Sequence, residues 1–131
     1  MKPLILVVDD DDWSRKLVCA FLTIHGFHAV DACDGEEGLA FTAGSRPDLV
    51  ILDMQMPRLD GIATIKKLKE RPDTAAIPIV MLSASAMERD KEKMRAAGCG
   101  AILTKPVNLA ELLATIRKQL VGLAKGGGGS L

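Results

Sequence analysis

Charge of one sign is what this sequence most plainly lacks: 17 Lys and Arg stand against 17 Asp and Glu, a formal net charge of +0. Such a balance leaves no electrostatic footprint for nucleic acid or an anionic membrane, so neither is expected as a partner. No apolar run approaches the roughly 20 residues that a spanning helix needs. The amino terminus has a lysine but no long apolar stretch behind it, which argues against a secretory signal. Cysteine is scarce: Cys19, Cys33 and Cys99 are odd in number, lack metal-ligand spacing, and read as buried thiols in a reducing compartment. A cytoplasmic location is therefore expected. No internal repeat and no second domain are visible.

What remains is one domain's worth of apolar sequence. The chain has 131 residues and is 48% hydrophobic, enough for a single core. Its tail, KGGGGSL, has the composition of a flexible, artificial-looking Gly/Ser linker, so the domain is taken as residues 1–124 and the linker as 125–131. Five short apolar runs fall at 4–8, 28–32, 49–52, 79–82 and 101–103. The first, third and fourth are rich in Val, Ile and Leu without alternation, as in strands buried on both faces. Longer segments of helical spacing separate them, most clearly Leu109, Leu112, Leu113, Ile116, Leu120 and Leu123 on one face of the last helix. Gly26, Gly44 and Gly98 are placed as left-handed helix caps, while Pro47 and Pro78 close what precedes the next strand. The pattern is βα five times over, an α/β class with a parallel sheet and helices on both faces.

Open sheets of this kind bind ligands at the carboxyl ends of their strands. Those ends carry Asp9 and Asp10 after strand one, Asp53 at strand three, Ser83 at strand four, and Lys105–Pro106 after strand five. Strand two ends in Ala32 and Cys33, which suggests an edge away from the site. Three converging carboxylates repel one another unless a cation intervenes, and Mg²⁺ commonly takes one or two carboxylates while keeping several waters. Metal, ammonium and hydroxyl would then be three partners for one phosphoryl group. No glycine-rich loop follows strand one, so simple phosphate cradling is not the pattern. An acid in that position can itself accept the phosphoryl group as an aspartyl-phosphate.

Four stretches, VVDD (7–10), LDMQMPRLDG (52–61), LSA (82–84) and TKP (104–106), stand in an order and spacing that resembles the receiver domain of two-component response regulators. The resemblance covers the chain up to the linker. It implies the flavodoxin-like, doubly wound five-stranded sheet of order 2-1-3-4-5. By position it makes Asp53 the phosphoacceptor, Asp10 a direct Mg²⁺ ligand, Asp9 a ligand through water, and the Gln55 backbone carbonyl a further ligand. Lys105 would pair with the phosphoryl group and Ser83 would swing toward it. A cis peptide between Lys105 and Pro106 is also implied, as is a shaped loop from Met56–Pro57 to Asp60–Gly61. Gln55 and Ser85 would flank the attacking water in dephosphorylation, with Ala84 small enough to leave the acceptor accessible. The implied partners are a sensor histidine kinase or histidine phosphotransfer protein upstream. Downstream, a protein effector would be met through the face of helix four, strand five and helix five. The chain would be a phosphorylation switch rather than an ordinary enzyme.

Asp11 and Asp12 are ordinary first-turn acids, one of them capping the helix that begins near Trp13. Trp13 covers the core edge, or stands close enough to the metal to sense it. His25 and His28 flank a turn and are surface residues. Ile102 stands where many receivers carry a Tyr or Phe switch, which leaves the hydroxyl-to-aromatic relay without its ring. Output would then pass through the loop after Ser83 and the charged helix that follows. Two rivals remain: a haloacid-dehalogenase-type, Mg²⁺-dependent phosphohydrolase built on Asp9 and Asp11, and a receiver-like scaffold that is never phosphorylated.

Overall fold

Each apolar run forms a strand, and three of them extend one residue further, onto a polar side chain. The computed structural model describes residues 2–56 and 59–128, with side chains of the last helix described to residue 121. The elements run β1 (Leu4–Val8), α1 (Asp12–Ile24), β2 (His28–Ala32), α2 (Gly35–Gly44), β3 (Leu49–Asp53), α3 (Gly61–Glu70), β4 (Ile79–Ser83), α4 (Glu88–Ala97), β5 (Ala101–Thr104) and α5 (Leu109–Gly128). All four strand pairings are parallel, and the order is β2-β1-β3-β4-β5. The topology implied by the family resemblance is thus the one observed, with β2 at an edge.

Alternation along the strands splits the core in two. Ile5, Val7, Leu49, Ile51, Leu82 and Leu103 face α1 and α5, where they meet Val18, Leu22, Leu112 and Ile116. Leu6, Val8, Val50, Leu52, Ile79 and Met81 face the other way, toward Ile65 and Leu68 of α3 and Met94 of α4. Burial on both faces explains why β3 and β4 read as unbroken apolar runs.

The helix ends correct one expectation. Gly26 and Gly98 do adopt positive φ, at 89° and 114°. Gly44 does not: it is the last residue of α2, and the chain leaves through Ser45 in extended backbone (φ −146°, ψ 143°). A residue before proline favours extended backbone, as Arg46 does before Pro47, so the exit needs no left-handed reversal. The α5 backbone continues through Gly128, past the boundary drawn at residue 124. Residues 129–131 of the expected linker lie outside the described residues, as does Pro57 of the loop after β3.

Candidate functional site

The strand order reverses between β1 and β3, and both strands end there in acids. In their register Val8 lies opposite Leu52, so the residues that follow, Asp9 and Asp53, leave the sheet side by side. Asp9 and Asp53 are buried while Asp10 is exposed. One carboxylate oxygen from each of the three lies within 4.8 Å of the others. Asp9 Oδ1 accepts from the Asp11 N–H at 2.9 Å, and Asp53 Oδ1 from the Gln55 N–H at 3.2 Å. Burial, and after it the neighbouring Asp53 charge, push Asp9 up to about 6 against the pull of the Asp11 N–H. A cluster of hard oxygen donors under that mutual strain fits a hard divalent cation such as Mg²⁺. Gln55 is exposed and borders, with Asp10, a cavity of about 410 Å³ beside the cluster.

The positive charge comes from β5. Lys105 donates from its backbone N–H to the Ser83 carbonyl at 2.7 Å, which docks it on β4. Its Nζ then donates to Asp53 Oδ2 at 3.0 Å. The peptide between Lys105 and Pro106 is cis. Ser83, the last residue of β4, is buried; its Oγ accepts from the Ser85 N–H at 3.0 Å and lies 3.6 Å from Met54 Sδ. The hydroxyl is therefore engaged in its own loop rather than with Asp53.

The loop after β3 is shaped by its last two residues. Asp60 caps α3, its Oδ1 accepting from the Ala63 N–H at 2.8 Å, and Gly61 opens the helix against the back of the acid. A Cβ on Gly61 would stand 2.6 Å from the Asp53 carbonyl oxygen and 2.7 Å from Met54 Cα, so only glycine fits there. Met56 is buried against the α3 side of the core.

Several side chains depart from expectation. Cys33 is exposed, not buried, because β2 ends one residue earlier and releases it to a surface turn; Cys19 and Cys99 are half-buried, and all three are free. Trp13 is 76% exposed and does not seal the core, although it lines an apolar cleft of about 220 Å³ with Asp9 and Lys105. His25 and His28 are surface residues, as expected. Ile102 is half-buried and packs toward the α3–α4 side. The acid pair of the phosphohydrolase rival does not form. Asp11 is exposed, caps α1 by accepting from the Ser14 N–H at 2.9 Å, and stands outside the acidic cluster.

Sequence reasoning missed Arg15. Nearly all of this side chain is buried, and it donates to Asp31 Oδ2 at 2.9 Å, to Asp12 Oδ1 at 2.6 Å and to the Asp9 carbonyl at 2.9 Å. Burial works against its charge, yet the two carboxylates more than offset that and hold it protonated. The one signal in the sequence is an arginine on the otherwise apolar inner stripe of α1, between Asp9 and Val18.

Fold and site together define a doubly wound signalling-type α/β domain with an acidic, lysine-capped pocket at the strand switch point. The profile of the response regulator receiver domain matches residues 5–117, and the chain belongs to that family. It is a receiver domain of two-component systems. The polar-differentiation response regulator DivK of Brucella anthropi is 30% identical over 120 residues, covering 92% of this chain and 98% of the relative. The chemotaxis protein CheY4 of Vibrio cholerae superposes with a TM-score of 0.86 at 30% identity, covering 90% of this chain and 98% of that one. The receiver domain of sensor histidine kinase PA1611 from Pseudomonas aeruginosa PAO1 gives a TM-score of 0.85 at 26% identity over 92% of this chain and 99% of that one. It was solved with a magnesium ion in its active-site cleft. Among the described residues no helix is long and apolar enough to cross a membrane.

Proposed function

We propose that Asp53 is the phosphoacceptor of this receiver and that the domain is a phosphorylation-dependent protein switch. The observation that carries the reading is the Lys105 Nζ on Asp53 Oδ2 at 3.0 Å, where the three carboxylates converge. A carboxylate oxygen of Asp53 attacks the phosphorus of a phosphohistidine on a partner kinase or phosphotransfer protein. The P–N bond breaks, and the imidazole leaves with the electron pair and takes up a proton. Asp9, Asp10, Asp53 and the Gln55 carbonyl are the groups that would hold Mg²⁺, which when bound neutralises charge on the phosphoryl oxygens. Lys105 moves its ammonium from the Asp53 carboxylate to a phosphoryl oxygen, a short shift since the two share one atom's surroundings. Ser83 redirects the hydroxyl proton it now offers Met54 Sδ to another phosphoryl oxygen.

The new dianion draws both groups inward and biases a two-state equilibrium. Output then passes to a protein effector at the α4–β5–α5 face. In this reading residues 1–124 are the receiver unit and 125–131 a linker, and the free cysteines favour a reducing, cytoplasmic setting. Turnover is limited to the chain's own aspartyl-phosphate, so it acts as a switch and not as an enzyme on free substrates.

The test uses phosphoramidate with Mg²⁺ and intact-protein mass. Wild type gains one base-labile phosphoryl group, and Asp53→Asn gains none. Uptake by the Asp53→Asn variant would overturn the assignment. No uptake by wild type from phosphoramidate or from a phosphorylated histidine domain would leave the unphosphorylated scaffold in its place.

A further inference from the structure

The buried arginine of α1 is unexplained by phosphoryl chemistry, because it reaches neither Asp53 nor the open side of the pocket. Its placement is nonetheless specific. Asp9 lies one residue beyond β1, where the sheet ladder stops. Its N–H is still held by the Ala32 carbonyl at 3.2 Å, and its carboxylate is held by the Asp11 N–H. Its carbonyl has run out of strand, and a buried carbonyl without a donor is costly. Arg15 Nη1 supplies that donor at 2.9 Å. The carbonyl belongs to the Asp9–Asp10 peptide, so holding it fixes the plane from which both side chains diverge.

The charge is arranged to make this tolerable beside a cation. Asp12 and Asp31 each take one edge of the guanidinium, at 2.6 and 2.9 Å, so two negative charges flank one positive charge. An ammonium offers no planar fork able to span three acceptors at once.

We propose that Arg15 is a positioning residue for Mg²⁺: its grip on the Asp9 carbonyl sets the separation of the Asp9 and Asp10 carboxylates. The inference rests on the Mg²⁺ reading above. Partners one shell out from a metal set the orientation of its ligands, and removing them commonly weakens binding by about tenfold or more.

The test is calorimetric titration of Mg²⁺ into the whole chain, with no phosphodonor, alongside circular dichroism to confirm folding. Arg15→Gln is expected to raise the Mg²⁺ dissociation constant about tenfold, and Arg15→Lys several-fold. Asp31→Asn breaks only the half-exposed ion pair to β2 and should change it by less than about twofold. A merely structural arginine would cost stability and leave the dissociation constant of the folded protein unchanged. Wild-type affinity in folded Arg15→Gln or Arg15→Lys overturns the proposal. So does an Asp31→Asn loss as large as that of Arg15→Gln, or failure of both arginine variants to fold. Absence of Mg²⁺ binding by wild type would instead sink the metal reading, and this inference with it.

Discussion

Helices α3 and α4 are each ten residues long and pack on the same side of the sheet, yet they are anchored very differently. The first follows the acid-bearing β3, is capped by Asp60, and buries Gly61, Thr64, Ile65 and Leu68. The second follows the hydroxyl-bearing β4, starts at Met87 without a side-chain cap bond, and buries Met94 alone. Its first turn is tied instead to the β4–α4 loop, where Ser85 Oγ donates to Asp90 Oδ2 at 2.6 Å and accepts from the Met87 N–H at 3.2 Å. Since the Ser85 N–H in turn holds the Ser83 hydroxyl, any movement of Ser83 acts first on the more weakly anchored helix. The Asp53 side is therefore expected to stay still and the β4–α4 side to yield at lower cost. With Ile102 in place of an aromatic ring, this loop is the polar connection that links the pocket to α4.

The sharpest way to break that contrast is to remove α4's single buried anchor. Met94→Ala should lower stability by about 3 kcal/mol in urea denaturation, and amide exchange should rise across 88–97 while 61–70 keeps its protection. Equal loss of protection in both helices would show that the two are one cooperative unit.

The acidic side carries its own cost, which pH exposes. Asp9 sits at about 6 in the folded chain against 3.8 as its ordinary value. The folded state therefore binds its proton more tightly than the unfolded state. Its contribution is complete below the ordinary value and is lost as pH rises through the folded one. Without metal, wild type should lose on the order of 2 kcal/mol between about pH 4 and 7 relative to Asp9→Asn, and saturating Mg²⁺ should abolish the difference. Melting temperatures of the two proteins over that range decide it.

The smallest effects come from exchanging the caps. Asp60→Ala should cost about 1 kcal/mol, whereas Met87→Ser should stabilise by roughly 0.5 kcal/mol, because α4 has a cap to gain and α3 has one to lose. Chemical denaturation of both single variants measures the pair.

The site was legible in the sequence to the extent that it lies at strand ends. Asp9, Asp53, Ser83 and Lys105 each directly follow or terminate a strand, and parallel strands bring such ends together. Gly61 was legible as well, since the acid–glycine pair opens a helix right behind Asp53. Arg15 was not, because its meaning depends on Asp31 lying across from Val7 on a neighbouring strand. Gly44 misled for a related reason: a glycine at a helix end permits a left-handed turn, but only the direction of the next strand says whether one is used. Cys33 misled because burial of a thiol depends on where the strand lets go of the chain.

Local chemistry by itself determined the alternation of strands and helices, the parallel sheet and the acidic identity of the strand ends, because buried strands need apolar residues and leave charged ones to their ends. Tertiary structure alone decided which neighbours those charges have. The Ser83 hydroxyl turned toward Ser85, the guanidinium held between Asp9 and Asp31 and the light anchoring of α4 all depend on how strands, loops and helices pack together. Their energies depend on distance and burial, and neither exists until the sheet has closed.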